Sequence, residues 1–171
     1  FGLGAPEMVV MVASLLLWRR CGISLAECTG AGTGLDAAGI ERKRAVLQQA
    51  LDVNATATTP LDALAALGGY EVATMVGAVL QAAAERRVIV VDGFIASSAV
   101  LFASRIAPHV LQRRVFAHQS DERGHARLLP VLGAVPLIDL GLRVGEASGA
   151  ALPCPLPESA CRIITDTDSF E

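Results

Sequence analysis

The sequence is short of aromatic and charged residues, which make up 4% and 18% of its 171 positions. A chain so poor in large flat side chains fills its interior with alanine, glycine and branched aliphatics, which favours close helix–sheet packing. An excess of one charge is also missing. Lys and Arg total 14 against 17 Asp and Glu, a formal charge of −3. That balance gives no electrostatic reason to expect nucleic acid or an acidic membrane surface as a partner. The arginines that do gather, Arg86, Arg87, Arg113 and Arg114, read as solvated helix ends.

Only four cysteines occur, Cys21, Cys28, Cys154 and Cys161, with no C-x-x-C pair and no zinc-type spacing. An apolar chain needs no disulfide framework, so buried free thiols in a reducing cytosol are expected. His109, His118 and His125 are too irregularly placed to argue for a metal, and no cofactor is expected. The apolar run Met8 to Trp18 falls well below the ~20 residues of a membrane-spanning helix. Arg19 and Arg20 follow that run, whereas a signal peptide carries its positive charge ahead of it. A cytoplasmic protein without a membrane partner is the expectation. Phe1 in place of methionine leaves room for the chain to begin inside a longer one.

What is present is a strong apolar pattern, 53% hydrophobic, enough for one domain over residues 1–171 with a proper core. Pro6 to Arg20 reads as a buried helix and Ser24-Leu-Ala-Glu27 as a capping box opening a short one. After TGAGTGLD comes a helix with Ile40, Leu47, Ala50 and Leu51 on one side, then a polar loop from Asp52 to Thr59. Pro60 starts a short helix ending at Gly68-Gly69. Tyr70 to Arg87 is a longer one with a buried stripe of Val72, Met75, Val76, Val79 and Leu80. Three short apolar strands follow, each with helix-like sequence after it: Val88 to Val91, Arg114 to Ala117, and Pro136 to Leu140. Continuous apolar strands between amphipathic helices predict an α/β fold, a parallel Rossmann-like sheet covered on both faces. Right-handed crossovers then bring every strand's carboxyl end to one rim.

Ligands bind beyond those carboxyl ends in open parallel sheets. The segments there are Asp92-Gly93-Phe94, His118-Gln119-Ser120 and Arg143-Val144-Gly145-Glu146. Small residues around Glu146 leave its carboxylate little water, and desolvation makes a carboxylate a better proton acceptor. The alternative is a glutamate favoured by the dipole of a helix's first turn. Gly30 to Gly34, opening a helix, can cradle a phosphate with backbone N–H groups or simply form a tight turn. Lys43 reads as an anion contact or a surface lysine, and Arg143 as an anion contact or a partner of Asp139. Asp92 and Ser120 read as ligand contacts or as caps of the helices that follow. His118 and Met75 read as packing residues.

Five segments together resemble one family. They are GAGTGLDAAGIERK (30–43), LDALAALGGYEVATMVGAVLQAAA (61–84), VVDGFIASSAVLFASRIAP (90–108), AHQSDERGH (117–125) and LGLRVGEASGAAL (140–152). In order and spacing they are similar to the nicotinate-nucleotide–dimethylbenzimidazole phosphoribosyltransferases of cobalamin lower-ligand synthesis. The resemblance implies transfer of phosphoribose from nicotinate mononucleotide to 5,6-dimethylbenzimidazole, giving α-ribazole 5′-phosphate and nicotinate, with no metal required. It implies that Glu146 is the general base and that Lys43, Gly93, Ser120 and Arg143 surround the nucleotide. Gly32 and Gly34 would let the backbone come close, and Val144 would lie against the benzimidazole. It further implies a homodimer and a small helical domain to which the C-terminal end contributes.

Two stretches depart from the family pattern. FGLGAPEMVVMVAS stands where the family carries Gly-Glu-Met-Gly-Ile-Gly-Asn-Thr-Thr, so the family's N-terminal portion is missing or divergent. LPCPLP, residues 152 to 157, puts three prolines in a helical region, which predicts a stop near Ala151 and a restart around Glu158. A truncated, non-catalytic nucleotide-binding remnant or regulatory module on the same fold is the second expectation.

Overall fold

The computed structural model describes residues 24–29, 36–142 and 147–167. Strand β1 (Ile89–Val91) pairs in parallel with β2 (Arg114–Phe116), in register Val91 to Phe116. Strand β3 (His118–Ser120) pairs in parallel with β4 (Ile138–Leu142), with an irregularity between His118 and Ser120. Ala117 joins the two ladders: its N–H donates to Val91 O at 2.9 Å and its carbonyl accepts from Ile138 N–H at 3.1 Å. Residues 114–120 therefore form the middle of a parallel array, and the α/β expectation is borne out. The second strand does not end at Ala117 as its apolar run suggests; the polar His118-Gln119-Ser120 continues it. The third strand is shifted two residues along, to Ile138–Leu142.

Helix α1 (Leu25–Cys28) follows Ser24, and α2 (Ala37–Val53) buries Leu47 and Leu51 while running past the expected start of a loop at Asp52. Helix α3 (Pro60–Leu67) opens with Pro60 in its first turn and a capping box between Thr59 and Asp62. Helix α4 (Gly69–Ala84) turns Val72 and Val76 inward, with Met75, Val79 and Leu80 packed beside them. At the centre lies α5 (Gly93–Ile106), in which every residue from Ser97 to Ser104 is buried. A helix apolar all round can only be an interior one. Its serines are satisfied locally: Ser98 donates to Phe94 O at 2.9 Å and Ser104 to Leu101 O at 2.7 Å.

A 3-10 turn (Pro108–Gln112) leads into β2, and α6 (Arg123–Val131) leads towards β4. Helix α7 (Ser148–Ala151) stops at Ala151, as the prolines predict. Helix α8 restarts at Pro155 rather than Glu158 and runs to Asp166. Pro155 and Pro157 fall in its first turn, where no backbone N–H is needed, so they do not delay it. No residue of α8 is buried, and Leu156, Ile163 and Ile164 all face outward.

Two readings of side chains need correction. Arg114 is not a solvated helix end: it lies in β2, donates to Leu111 O, Leu132 O and Gly133 O, and sits over the Phe116 ring. A strand-borne guanidinium reaching several carbonyls is held by its fork of donors. Cys154 and Cys161 are free thiols but exposed, because they lie on a turn and a helix that bury little. Cys21 falls outside the described residues. No helix among the described residues is long and apolar enough to cross a membrane.

Candidate active site

The parallel pairing sends the carboxyl ends of β1 and β3 to one rim, and the residues following them meet there. Asp92 leaves β1 and is the N-cap residue of α5, yet its side chain makes no cap hydrogen bond. Its Oδ1 instead lies 3.0 Å from His118 Nε2, close enough for an ion pair but without hydrogen-bond alignment. His118 is buried, so the packing expectation holds in part, but the ring also faces a carboxylate. Among the described residues, Asp92 Oδ1 and His118 Nδ1 lack hydrogen-bond partners. Buried polar atoms in that condition are uncommon and point to a ligand or water contact.

Gly93, with φ +66°, makes the turn from β1 into α5 in the left-handed region that glycine tolerates at little cost. Ser120 ends β3. It does not cap α6, whose N-cap is Glu122; its Oγ lies 2.9 Å from His125 Nδ1. The capping alternatives for Asp92 and Ser120 are thereby overturned, since each side chain turns towards a histidine.

His125, fully buried in the first turn of α6, bridges these loops. Its Nδ1 accepts the Ser120 backbone N–H at 3.0 Å, so the ring proton resides on Nε2. Nε2 then donates to Ser97 Oγ at 3.0 Å, and Ser97 donates to Gly93 O at 2.6 Å. Burial first, and then the His118 ring 6.4 Å away, lower the His125 pKa from 6.5 to about 4. The third contributor is Gly149 of α7, buried so tightly that a Cβ there would overlap His118 Nε2 and Cδ2 and Asp92 Oδ1. Gly149 comes three residues after Glu146 in the chain. Ala147, between them, holds φ 62° without being glycine, a strain of about 1 kcal/mol. Such strain gathers at functional sites.

The structure thus brings together Asp92, Gly93 and Ser120, and adds His118, His125, Ser97 and Gly149. Lys43 is half-buried in the second turn of α2. Gly32, Gly34, Arg143, Val144 and Glu146 lie outside the described residues, as do Pro6 to Arg20. At the start of α2, Asp36 accepts the Gly39 N–H at 2.7 Å. One donor that a phosphate would use there is therefore already engaged.

The neutral state of His125 has a consequence in acid. The unfolded histidine takes a proton as pH falls through 6.5, while the folded one refuses it until about pH 4. Stability is full above pH 6.5 and declines below it, by about 3 kcal/mol in all at 1.36 kcal/mol per unit. Urea unfolding at pH 7 and pH 4.5 should show this decline and a much flatter profile for His125→Gln. Equal slopes in both proteins would refute the assignment.

The phosphoribosyltransferase family model DBI_PRT matches residues 9–171 of this chain. The chain belongs to that family. A family member from Variovorax paradoxus (strain S110), named nicotinate-nucleotide–dimethylbenzimidazole phosphoribosyltransferase, is 63% identical over 159 residues, 93% of this chain and 46% of its own length. One of the same name from Ralstonia nicotianae is 54% identical over 158 residues, 92% of this chain and 45% of its own. A crystal structure of CobT from Thermus thermophilus superposes with a TM-score of 0.87 at 33% identity, covering 96% of this chain and 48% of that one. The chain spans about half the length of the relatives it matches.

His118 and His125 were not singled out by sequence as site residues. The signal for His118 is its place just after the apolar run that stops at Ala117. His125 had none, because its partner Ser97 is 28 residues away.

Proposed function

We propose that this site transfers phosphoribose from nicotinate mononucleotide to 5,6-dimethylbenzimidazole, releasing nicotinate and forming α-ribazole 5′-phosphate. The observation that carries the proposal is the wedge at Gly149. It seats α7, which begins two residues after Glu146, against His118 at the start of β3 and Asp92 just after β1. A base delivered from the third strand end would then face a nucleotide held by the other two.

In this reading Asp92 Oδ1, without a hydrogen-bond partner among the described residues, accepts a ribose hydroxyl. Gly93 lets the ligand approach the backbone, and the Ser120 hydroxyl donates to an anionic oxygen. Lys43 and Arg143 face the phosphate and the nicotinate carboxylate, Gly32 and Gly34 offer backbone N–H groups, and Val144 lies on the benzimidazole face. The Glu146 carboxylate takes the imidazole N–H proton as the ring nitrogen bonds to C1′. The C1′–N bond to nicotinate breaks with its electron pair left on the pyridine nitrogen. Charge and proton balance without a cofactor. The proposal includes a cytoplasmic homodimer and a single domain over residues 1–171.

A second reading, a nucleotide-binding module without turnover, draws support from the chain's covering only 46% of the Variovorax relative. One experiment separates them. The chain is incubated with nicotinate mononucleotide and 5,6-dimethylbenzimidazole, products are resolved by chromatography, and nucleotide binding is followed by calorimetry. α-Ribazole 5′-phosphate supports the transferase, and binding without product supports the module. Neither product nor binding would refute both.

A further inference from the structure

Ser120 presents two donors, its backbone N–H at 3.0 Å and its hydroxyl at 2.9 Å, to a single acceptor, His125 Nδ1. A neutral imidazole has one lone pair in the ring plane, and the backbone N–H cannot move away from it. The hydroxyl can rotate, and its proton can turn to another acceptor while Nδ1 stays satisfied. On the far side of the ring, Nε2–H fixes Ser97 Oγ, and Ser97 fixes the Gly93 carbonyl at 2.6 Å. One buried ring therefore ties the start of α5 to the end of β3, with Ser97 and His125 28 residues apart in sequence. Phe94, 6.2 Å away, and His118, 6.4 Å away, wall the ring in on other sides.

We infer that His125 is a positioning residue for nucleotide binding: as the Nε2–H tautomer it holds Gly93 and Ser120 in register and leaves the Ser120 hydroxyl proton to a bound anion. The inference rests on the phosphoribosyl-transfer reading for the identity of the ligand, and on hydrogen bonding alone for the tautomer. A histidine with its proton on Nδ1 could not do this, because the Ser120 N–H would then face an N–H.

Two measurements test it. Long-range proton–nitrogen NMR on the unliganded chain should show His125 Nδ1 bare and Nε2 protonated, in the wild type and in Ser120→Ala. A protonated Nδ1 overturns the inference whatever the chain binds. Calorimetry with nicotinate mononucleotide should then find binding weakened on the order of tenfold in His125→Leu, the loss expected of one buried hydrogen bond. His125→Asn, whose side-chain carbonyl can accept the Ser120 N–H, should recover most of that loss. Circular dichroism confirms that each variant is folded. A folded His125→Leu that binds like the wild type, or a folded His125→Asn no better than His125→Leu, overturns the inference. A wild-type chain that binds no nucleotide sinks the phosphoribosyl reading instead, and the tautomer alone then decides the positioning role.

Discussion

Replacing Glu146 with glutamine should lower turnover by roughly 10²–10⁴-fold, the usual contribution of a positioned general base, with nicotinate mononucleotide affinity little changed. Glutamine keeps the size and hydrogen-bonding reach of the side chain and loses only the ability to accept a proton. The azole nitrogen that attacks C1′ is a poor nucleophile if its partner nitrogen keeps its proton as the new bond forms. The neighbours in sequence, Gly145, Ala147, Ser148 and Gly149, are small, so little else in that stretch can take the proton. Steady-state rates and calorimetry on the same preparations check both halves. A variant with the wild-type rate would remove Glu146 from the chemistry, and one that lost nucleotide affinity with the rate would make it a binding residue.

The second large effect is expected at Gly149. A methyl group there would occupy the space of the His118 ring and the Asp92 carboxylate. The ring cannot yield easily: His118 is 2% exposed and enclosed between Asp92 and His125. The backbone of α7 has to lift instead. Gly149→Ala should cost about 1–3 kcal/mol of stability, as overpacking does, and should lower kcat more than it raises KM for the nucleotide. Denaturant unfolding and steady-state kinetics measure the two effects. Unchanged stability would mean that α7 does not press on this pair.

Much of the fold could be read from the residues because its elements are simple. Short β-branched runs such as Val88 to Val91, set between amphipathic helices, leave a parallel sheet as the natural arrangement. The end of the middle strand could not be read in that way. His118-Gln119-Ser120 is polar because it approaches the rim, and polarity looks like a turn when only local pattern is available. The outward-facing α8 was likewise obscured by prolines that suit a helix's first turn.

The candidate site divides along the same line. Asp92, Gly93 and Ser120 follow from topology, since strand ends converge wherever strands are parallel. What each side chain does there does not follow. Asp and Ser before a helix read as caps, and only the three-dimensional placement of His118 and His125 draws them away from that task. Glu146, Arg143 and Val144 rest on family resemblance, and their geometry lies outside the described residues.

In the proposed reaction this rim moves a phosphoribosyl group to an azole rather than to water. The most direct test is a time course of nicotinate release from nicotinate mononucleotide, with and without 5,6-dimethylbenzimidazole. Release should depend on the azole and match α-ribazole 5′-phosphate mole for mole. Nicotinate appearing at the same rate without the azole, with ribose 5-phosphate as the other product, would contradict it.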